Sequence, residues 1–207
     1  RSMTLGFGRR ACVWRVYSAS VALNDGTVLV TGGENSEQPL TNASCEIFTG
    51  IRWKFVASMN YARLNHAITV LTNGSVLVVG GYDRDTSQLL SSVERYDPSS
   101  NTWHLVASLS AARSGMALAV VHNSVVACGG NIGEINARCN MLLVDENQWV
   151  DSVTSVPLGV TVPAYTTMLN GSLFIAGGYS YDNGRYPTVS TVSVLTPFWM
   201  TPQDPKV

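Results

Sequence analysis

A pair of adjacent glycines occurs four times in this 207-residue chain at an almost constant spacing. The first glycines of the pairs lie 48 to 49 residues apart, at Gly32, Gly80, Gly129 and Gly177. A tryptophan follows each first glycine after 20 to 23 residues, at Trp53, Trp103, Trp149 and Trp199. A fixed period of this length is typical of repeat architectures, in which each repeat is one supersecondary unit packed against the next. The chain is therefore constrained to four copies of one unit.

The segments inside each unit read as β-strands. In the second unit an apolar run, 76–79, ends at the glycine pair and is preceded by Asn73-Gly74. Asn-Gly between two apolar runs favours a tight hairpin turn, because both residues tolerate positive φ. We therefore predict that residues 67–71 and 76–79 are antiparallel neighbours. The almost continuous apolar character of the run before the glycines predicts a strand buried on both faces.

Two more strand segments complete each unit. In the second unit, one lies near residues 93–96 and the other begins near Trp103. Four strands in a unit of this length correspond to one blade of a β-propeller. The predicted fold is all-β, with four visible four-stranded blades that are a whole ring or part of a larger one. The predicted blades are 15–57, 63–108, 113–155 and 160–200.

The two ends of the chain carry no repeat signature. We expect residues 1–14 to be an N-terminal segment, with an edge strand as one alternative, and residues 201–207 to be a tail. No strand is visibly split between the two ends to latch a ring. Because unpaired sheet edges invite association, we expect the four blades to belong to a larger propeller or to self-associate through open blade edges.

The repeat resembles the kelch repeat, whose pattern is an arginine, a His or small residue, an apolar strand, Gly-Gly, then Tyr-Asp and Trp. Residues 80–115 carry this pattern most fully, with Gly80-Gly81-Tyr82-Asp83, Trp103 and Arg113. That stretch is similar to kelch-like substrate adaptors of ubiquitin ligases. The plainer segment 23–30 is similar to the repeats of galactose-oxidase-like and large surface kelch proteins. The resemblance implies a propeller that binds a protein or peptide partner.

By the same resemblance, partner contacts lie in the loops that follow the arginine column (Arg15, Arg63 and Arg113) and the glycine pairs. These positions form the predicted partner-binding rim, and its residues are Tyr17, Glu34, Asn65, Tyr82, Ser114, Asn131 and Tyr179. Their polar and aromatic character is that of a recognition surface, although ordinary solvated loops would look similar. The rim lacks an arginine cluster, so an acidic ligand is not expected.

The predicted function is a non-catalytic protein-interaction module, either the substrate-recognition part of a ubiquitin-ligase adaptor or a scaffold. The alternative is a kelch enzyme of the galactose-oxidase type or a carbohydrate-binding propeller. We predict no catalytic residue, cofactor or metal ligand, because the three histidines, His66, His104 and His122, are scattered and no Tyr-His-Cys pattern shares a loop position. His66 follows the arginine column and is expected to be structural.

Composition limits the classes of partner. The chain is 45% hydrophobic and 13% charged, which is typical of a folded globular protein. Its net charge is −1 and no basic stripe is present, so nucleic acid is not an expected partner. No apolar stretch approaches the ~20 residues that span a bilayer, so membrane insertion is not expected. We expect a cytoplasmic protein, with a secreted or extracellular one as the alternative.

The four cysteines, Cys12, Cys45, Cys128 and Cys139, form no CxxC pair, which argues against zinc. They could form two disulfides, but we expect free cysteines that act as small buried hydrophobes. Cys128 lies inside a predicted buried strand and is expected to be inert packing.

Overall fold

The structure is a computed structural model that describes residues 13–35, 40–121, 123–131, 137–155, 160–168, 172–180, 187–188, 190 and 192–195. Seventeen β-strands occur in this part of the chain, and it contains no helix. The strands form four antiparallel sheets that follow one another along the chain, together with one short hairpin. The prediction of an all-β fold with four propeller blades is confirmed.

The first two sheets each have four strands. Blade 1 contains β1 (Ala19–Ala22), β2 (Val28–Thr31), β3 (Cys45–Phe48) and β4 (Trp53–Val56). Blade 2 contains β5 (Ala67–Val70), β6 (Val76–Val79), β9 (Val93–Asp97) and β10 (Thr102–Val106). A two-stranded hairpin of β7 (Tyr82–Asp83) and β8 (Gln88–Leu89) projects between β6 and β9.

The last two sheets repeat the same order. Blade 3 contains β11 (Ala117–Val121), β12 (Ser124–Cys128), β13 (Arg138–Leu143) and β14 (Gln148–Ser155). Blade 4 contains β15 (Ala164–Thr167), β16 (Leu173–Ala176) and β17 (Val192–Leu195). The fourth strand predicted near Trp199 lies outside the described residues. So do residues 1–12 and 201–207, and their predicted roles stay predictions.

The predicted hairpin of blade 2 is confirmed. Residues Ala67–Val70 pair antiparallel with Val76–Val79, and Gly74 in the connecting turn has φ +84°. The first strands of the four blades, β1, β5, β11 and β15, are neighbours in that order around the inside of the molecule. They line a cavity of about 590 Å³ at the propeller axis.

Among the described residues, the hydrophobic core consists of three layers, each between two successive blades. The layer between blades 1 and 2 contains Leu29, Cys45, Ile68, Val76 and Tyr96. The layers between blades 2 and 3 and between blades 3 and 4 are built in the same way. Each sheet is too thin to have a core of its own, so the fold is stabilised where one sheet packs on the next.

Two of the repeated tryptophans join neighbouring blades. The indole Nε1 of Trp103 donates a 2.9 Å hydrogen bond to the carbonyl oxygen of Ala57 in blade 1. Trp149 donates an equivalent 2.9 Å bond to Ala107 in blade 2. Each ring also packs into the hydrophobic layer between its own blade and the preceding blade. The expected role of the tryptophan in filling the gap between sheets is thus seen for these two residues.

A buried arginine links the strands within a blade. The Arg63 guanidinium is fully buried; its Nη1 donates to the carbonyl oxygens of Gly80 at 2.5 Å and Ser92 at 3.1 Å. Its Nη2 lies 2.7 Å from the Glu94 carboxylate. Glu94 in turn accepts hydrogen bonds from the backbone amides of Asn60 and Tyr61, which connect blade 1 to blade 2. The buried charges are therefore paired and hydrogen-bonded, as burial requires.

The arginine and its acceptor change together from blade to blade. Blade 1 has the same pair, with Arg15 lying 2.9 Å from Glu46. In blade 3 Arg113 donates to Asn140, whose side-chain amide donates to Asp151 at 2.6 Å. In blade 4 the arginine is replaced by the buried Val160, which needs no acceptor.

The burial on both faces that we predicted for the second strand of each blade is found only in blades 2 and 3. All four residues of β6 are buried, whereas β2 alternates between half-buried and buried residues. Strand β16 alternates in the same way. The prediction of burial on both faces is therefore wrong for blades 1 and 4. In the described part of the chain, each of these has a neighbouring blade on one side only.

The expectation of free cysteines is wrong for one pair. Cys128 on β12 and Cys139 on β13 are directly opposite each other in the sheet and form a disulfide in the layer between blades 3 and 4. Blade 2 has Val79 opposite Val93 at the same position. Adjacent cysteines on paired strands cannot be recognised from spacing alone, because the register depends on the length of the intervening loop. Cys45 is free and buried, as expected, and burial raises the pKa of its thiol to about 12.

Candidate partner-binding rim

The predicted rim residues lie in the loops at one end of the four sheets. In every blade, the residue after the arginine column pairs with the residue after the glycine pair through two backbone hydrogen bonds of 2.8–3.0 Å. These four pairs are Val16 with Glu34, Leu64 with Tyr82, Ser114 with Asn131, and Thr161 with Tyr179. The loops after the arginine column and the loops after the glycine pairs are therefore hydrogen-bonded to each other. Together they form one band of the surface, which we call the strip.

A chain of backbone hydrogen bonds crosses from blade to blade along this strip. The amide of Asn65 donates to the carbonyl of Tyr17 at 3.0 Å, the amide of Gly115 to Asn65 at 2.7 Å, and the amide of Val162 to Gly115 at 2.8 Å. All four residues have φ between +50° and +65°. We call these four residues the belt. Because the belt fixes the blades relative to each other, the rim is a continuous, pre-organised surface.

The glycine pairs allow the backbones of neighbouring blades to approach each other closely. The first glycine, such as Gly80, has φ +59°, and a Cβ there would lie 2.7 Å from Met116 Cε and closer still to the Arg113 carbonyl oxygen of the next blade. The amide of the second glycine, Gly81, donates a 2.8 Å hydrogen bond to that same oxygen. The pair therefore joins the end of one blade to the rim of the following blade.

The predicted contact residues differ widely in exposure. Tyr17 is 54% exposed and Tyr179 is 45% exposed, one at each end of the strip. Between them, Asn65, Tyr82, Ser114 and Asn131 are half-buried. Glu34 is only 7% exposed. The two tyrosines therefore offer the largest accessible contact area among the predicted residues.

Glu34 is engaged within the protein. Its carboxylate lies 2.9 Å from the guanidinium of Arg84, which is at the tip of the β7–β8 hairpin of blade 2. The backbone amide of Arg84 donates to the Thr41 hydroxyl of blade 1 at 2.9 Å. This hairpin therefore folds over the rim of blade 1, and sequence reasoning missed Arg84 because its partner is one whole repeat away.

The sequence analysis also did not identify Val162 as a rim residue. It is 49% exposed and occupies the belt position of blade 4. The signal was present in the sequence, since Val162 lies two residues after Val160, which aligns with the arginine column. Apart from Glu34, the strip consists of aromatic, apolar and neutral polar residues. The β7–β8 hairpin beside it carries the Arg84 of the Arg84–Glu34 ion pair and the carboxylates of Asp83 and Asp85.

His66 has a structural environment. It is buried, and its Nε2 lies 2.7 Å from the Thr31 hydroxyl of blade 1. Burial, reinforced by the charge of Arg63, lowers the pKa of His66 to about 3, so the ring is neutral at physiological pH. Among the described residues, no group of three or more His, Cys, Asp and Glu side chains comes together in a way that could hold a metal ion. The described residues also contain no helix that could span a membrane.

The comparisons with known proteins agree with this architecture. The Kelch motif matches residues 63–110. The chain is 31% identical over 173 residues to Kelch-like protein 35 of Mus musculus, which covers 80% of this chain and 29% of that protein. It is 29% identical over 170 residues to Kelch-like protein 36 of Rattus norvegicus, covering 77% of this chain and 27% of that protein. Alpha-scruin of Limulus polyphemus is 28% identical over 155 residues, covering 70% and 16% respectively.

The solved structure of YjhT has the same fold. It superposes with a TM-score of 0.72 at 17% sequence identity, over 87% of this chain and 68% of that chain. Four blades, the repeated arginine, Gly-Gly and Trp columns, and the Kelch motif together define the class as a kelch-type β-propeller. The chain belongs to the kelch-repeat family, and it spans less than a third of the length of the curated relatives it matches.

Proposed function

We propose that this chain is a protein-interaction module that binds a protein or peptide segment through the rim. The observation that carries the proposal is the belt, which fixes loops from four blades into one strip with exposed tyrosines at both ends. Tyrosine supplies a large contact area at a low cost in conformational entropy. A pre-organised surface also avoids the cost of ordering loops on binding.

The chemistry of the strip favours an uncharged ligand segment. Arg84 is paired with Glu34, so its charge is not free for an acidic ligand, and the neighbouring carboxylates of Asp83 and Asp85 disfavour such a ligand further. The central residues, Asn65 and Ser114, offer side chains that both donate and accept hydrogen bonds. We therefore propose a partner segment with apolar or aromatic anchors and neutral polar groups.

The finer proposal is that the chain is the substrate-recognition part of a ubiquitin-ligase adaptor, or a scaffold. The similarity to Kelch-like proteins supports it. The cytoplasmic location expected from the sequence also stays a proposal, and the Cys128–Cys139 pair weighs against it, because disulfides are rare in reducing compartments.

The test uses peptides selected from a phage-displayed random library on the immobilised protein, followed by affinity measurements by isothermal titration calorimetry. Tyr17→Ala and Tyr179→Ala should each weaken binding by about 1–3 kcal/mol, with little change in the thermal midpoint, because both side chains are exposed. Ile51 is 67% exposed in the turn at the opposite end of blade 1, so Ile51→Ala is the matched control. If Ile51→Ala abolishes binding and both tyrosine variants retain it, the proposed rim is wrong.

A further inference from the structure

A cavity of about 510 Å³ opens on blade 2, at the end of the sheet opposite the rim. It lies where the Asn73-Gly74 turn between β5 and β6 approaches the turn between β9 and β10. Strand register places both turns away from Gly80-Gly81, which marks the rim end. Blade 2 packs against blade 1 on one face and blade 3 on the other, so its surroundings are described on both sides. The cavity is therefore separate from the rim.

Arg95 in this cavity occupies a position that is apolar in the other blades. Register places it directly between Leu77 and His104 in one row across the sheet. Leu77 is 1% exposed in the hydrophobic layer between blades 2 and 3. The other blades have an aliphatic residue or methionine at the position of Arg95, namely Ile47, Met141 and Val194. Blade 2 thus carries a charge where hydrophobic packing alone would favour an apolar side chain.

The charge of Arg95 has no partner in the described part of the protein. The residue is half-buried, and its guanidinium makes no hydrogen bond or ion pair to another described residue. The buried Arg15 and Arg63, by contrast, are each paired with a glutamate. Partial burial of a charge without an acceptor is unfavourable, because the lost hydration is not replaced. An acceptor from outside the chain would compensate for that loss.

His104 provides a second donor beside Arg95. It is exposed in the cavity, and its Nε2 lies 3.0 Å from the Thr102 hydroxyl. Within the described residues, Nδ1 makes no hydrogen bond. With Nε2 accepting from Thr102, Nδ1 carries the proton and can donate to a ligand. Residues directly opposite on paired strands have Cβ atoms about 4.5–5.5 Å apart, so one ligand group can reach both donors.

Asp97 limits the charge of the ligand. Its carboxylate also lines the cavity, and its Oδ1 accepts hydrogen bonds from the amide and hydroxyl of Ser99 at 2.8 and 2.7 Å. A phosphate monoester carries nearly two negative charges at neutral pH and is repelled by a neighbouring aspartate. A carboxylate carries one charge and matches the guanidinium fork with two parallel hydrogen bonds. The donors and charges of the cavity therefore favour a carboxylate.

We propose that Arg95 and His104 form a second binding site, which holds a carboxylate group in the cavity of blade 2. The Arg95 guanidinium accepts the carboxylate as a bidentate partner, and His104 Nδ1 donates a further hydrogen bond to it. An N–H group next to the carboxylate in the ligand donates to Asp97. A small carboxylic acid and an acidic residue of a polypeptide share this chemistry.

The test is an NMR titration of the ¹⁵N-labelled protein, followed at the Arg95 Nε–H and the His104 ring. The first probe is N-acetylglycine, which has a carboxylate with an N–H group beside it. It should shift both signals saturably, with a dissociation constant on the order of 1 mM. N-acetylglycinamide, which has the same shape without the charge, should cause no saturable shift. Methyl phosphate should bind more weakly than N-acetylglycine.

A blocked tripeptide with glutamate at its centre distinguishes the two sources of the carboxylate. If it binds more tightly than N-acetylglycine, the cavity recognises an acidic residue within a polypeptide. If it binds no more tightly, the site takes a small carboxylic acid. Either result supports a carboxylate site.

Arg95→Met introduces the residue found at the equivalent position of blade 3. It should weaken binding of N-acetylglycine by about tenfold or more, read at the His104 ring. The thermal midpoint should not fall, because Met141 packs into a hydrophobic layer at this position. Arg95→Lys keeps the charge without the fork and should bind with intermediate affinity, which provides a second variant if Arg95→Met fails to fold. Arg52→Met is the matched control, since Arg52 is exposed in a turn of blade 1, and it should bind as wild type does.

Asp97→Asn tests the selectivity separately. Removing the negative charge should strengthen binding of methyl phosphate by about threefold or more. The proposal is overturned if N-acetylglycine shifts neither Arg95 nor His104, or if N-acetylglycinamide binds equally well. Equal losses in Arg95→Met and Arg52→Met would indicate a general effect of surface charge. Tighter binding of methyl phosphate than of N-acetylglycine to wild type would show that the site prefers phosphate.

Discussion

The close approach at the glycine pair makes Gly80→Ala a sensitive test of how the blades are joined. An alanine at φ +59° carries about 1–2 kcal/mol of backbone strain. Its Cβ would also lie 2.7 Å from Met116 Cε and in steric conflict with the Arg113 carbonyl, and such overpacking typically costs about 1–3 kcal/mol. Moving that carbonyl away weakens its hydrogen bond from Gly81, a further loss of about 1 kcal/mol. The expected destabilisation is the sum of these three costs, about 3–6 kcal/mol.

Gly26→Ala is the matched control for this prediction. Gly26 has φ +81°, so it carries the backbone strain, but no atom lies within 4 Å of the position its Cβ would take. Its cost should be about 1 kcal/mol, after allowance for the lower entropy of the unfolded alanine chain. Urea unfolding followed by tryptophan fluorescence measures both variants. If they lose the same stability to within ~1 kcal/mol, conformational freedom alone explains the glycine and the close-approach argument is wrong.

Two further predictions concern buried side chains in the layers between blades. Replacing both Cys128 and Cys139 with valine, the residue at both equivalent positions of blade 2, should lower the unfolding free energy by about 3 kcal/mol, the chain-entropy value for the 11-residue separation. Dithiothreitol should destabilise wild type but not the double variant. An equal effect on both proteins would contradict the disulfide. The folded state holds His66 neutral down to about pH 3, whereas the unfolded chain takes up a proton near pH 6.5, so stability should fall with falling pH between these values by up to about 1.4 kcal/mol per pH unit. His66→Gln should show a shallower decline between pH 7 and 5 in urea titrations, and identical slopes would refute the buried neutral imidazole.

The repeat unit and its strands could be predicted from the sequence because they depend on local chemistry. Asn73-Gly74 favours a tight turn, and the apolar run 76–79 favours a strand, wherever the unit sits in the ring. The glycine pairs and the tryptophans recur in every unit, so their structural role was predictable too. These features arise from spacing within one unit, and a single chain displays that spacing four times.

The candidate rim could be predicted only in outline. The columns after the arginine and after the glycine pair indicated the correct loops, but nothing in the sequence showed that Glu34 would be buried under Arg84. Their contact joins two repeats, so the sequence of a single repeat does not contain the information that predicts it. The exposure of a loop side chain depends on what the neighbouring blade places over it.

The sequence by itself determined the unit, its four strands and its number of copies, since each follows from turn chemistry and hydrophobic period. Only the tertiary structure decided which strands are buried on both faces, which cysteines meet and where the rim surface is continuous. Val28 and Val76 occupy the same position in near-identical local sequences, yet Val76 is fully buried and Val28 is not. The difference is physical: burial in a propeller comes from the adjacent blade, and a residue's own repeat carries no information about whether that blade is present.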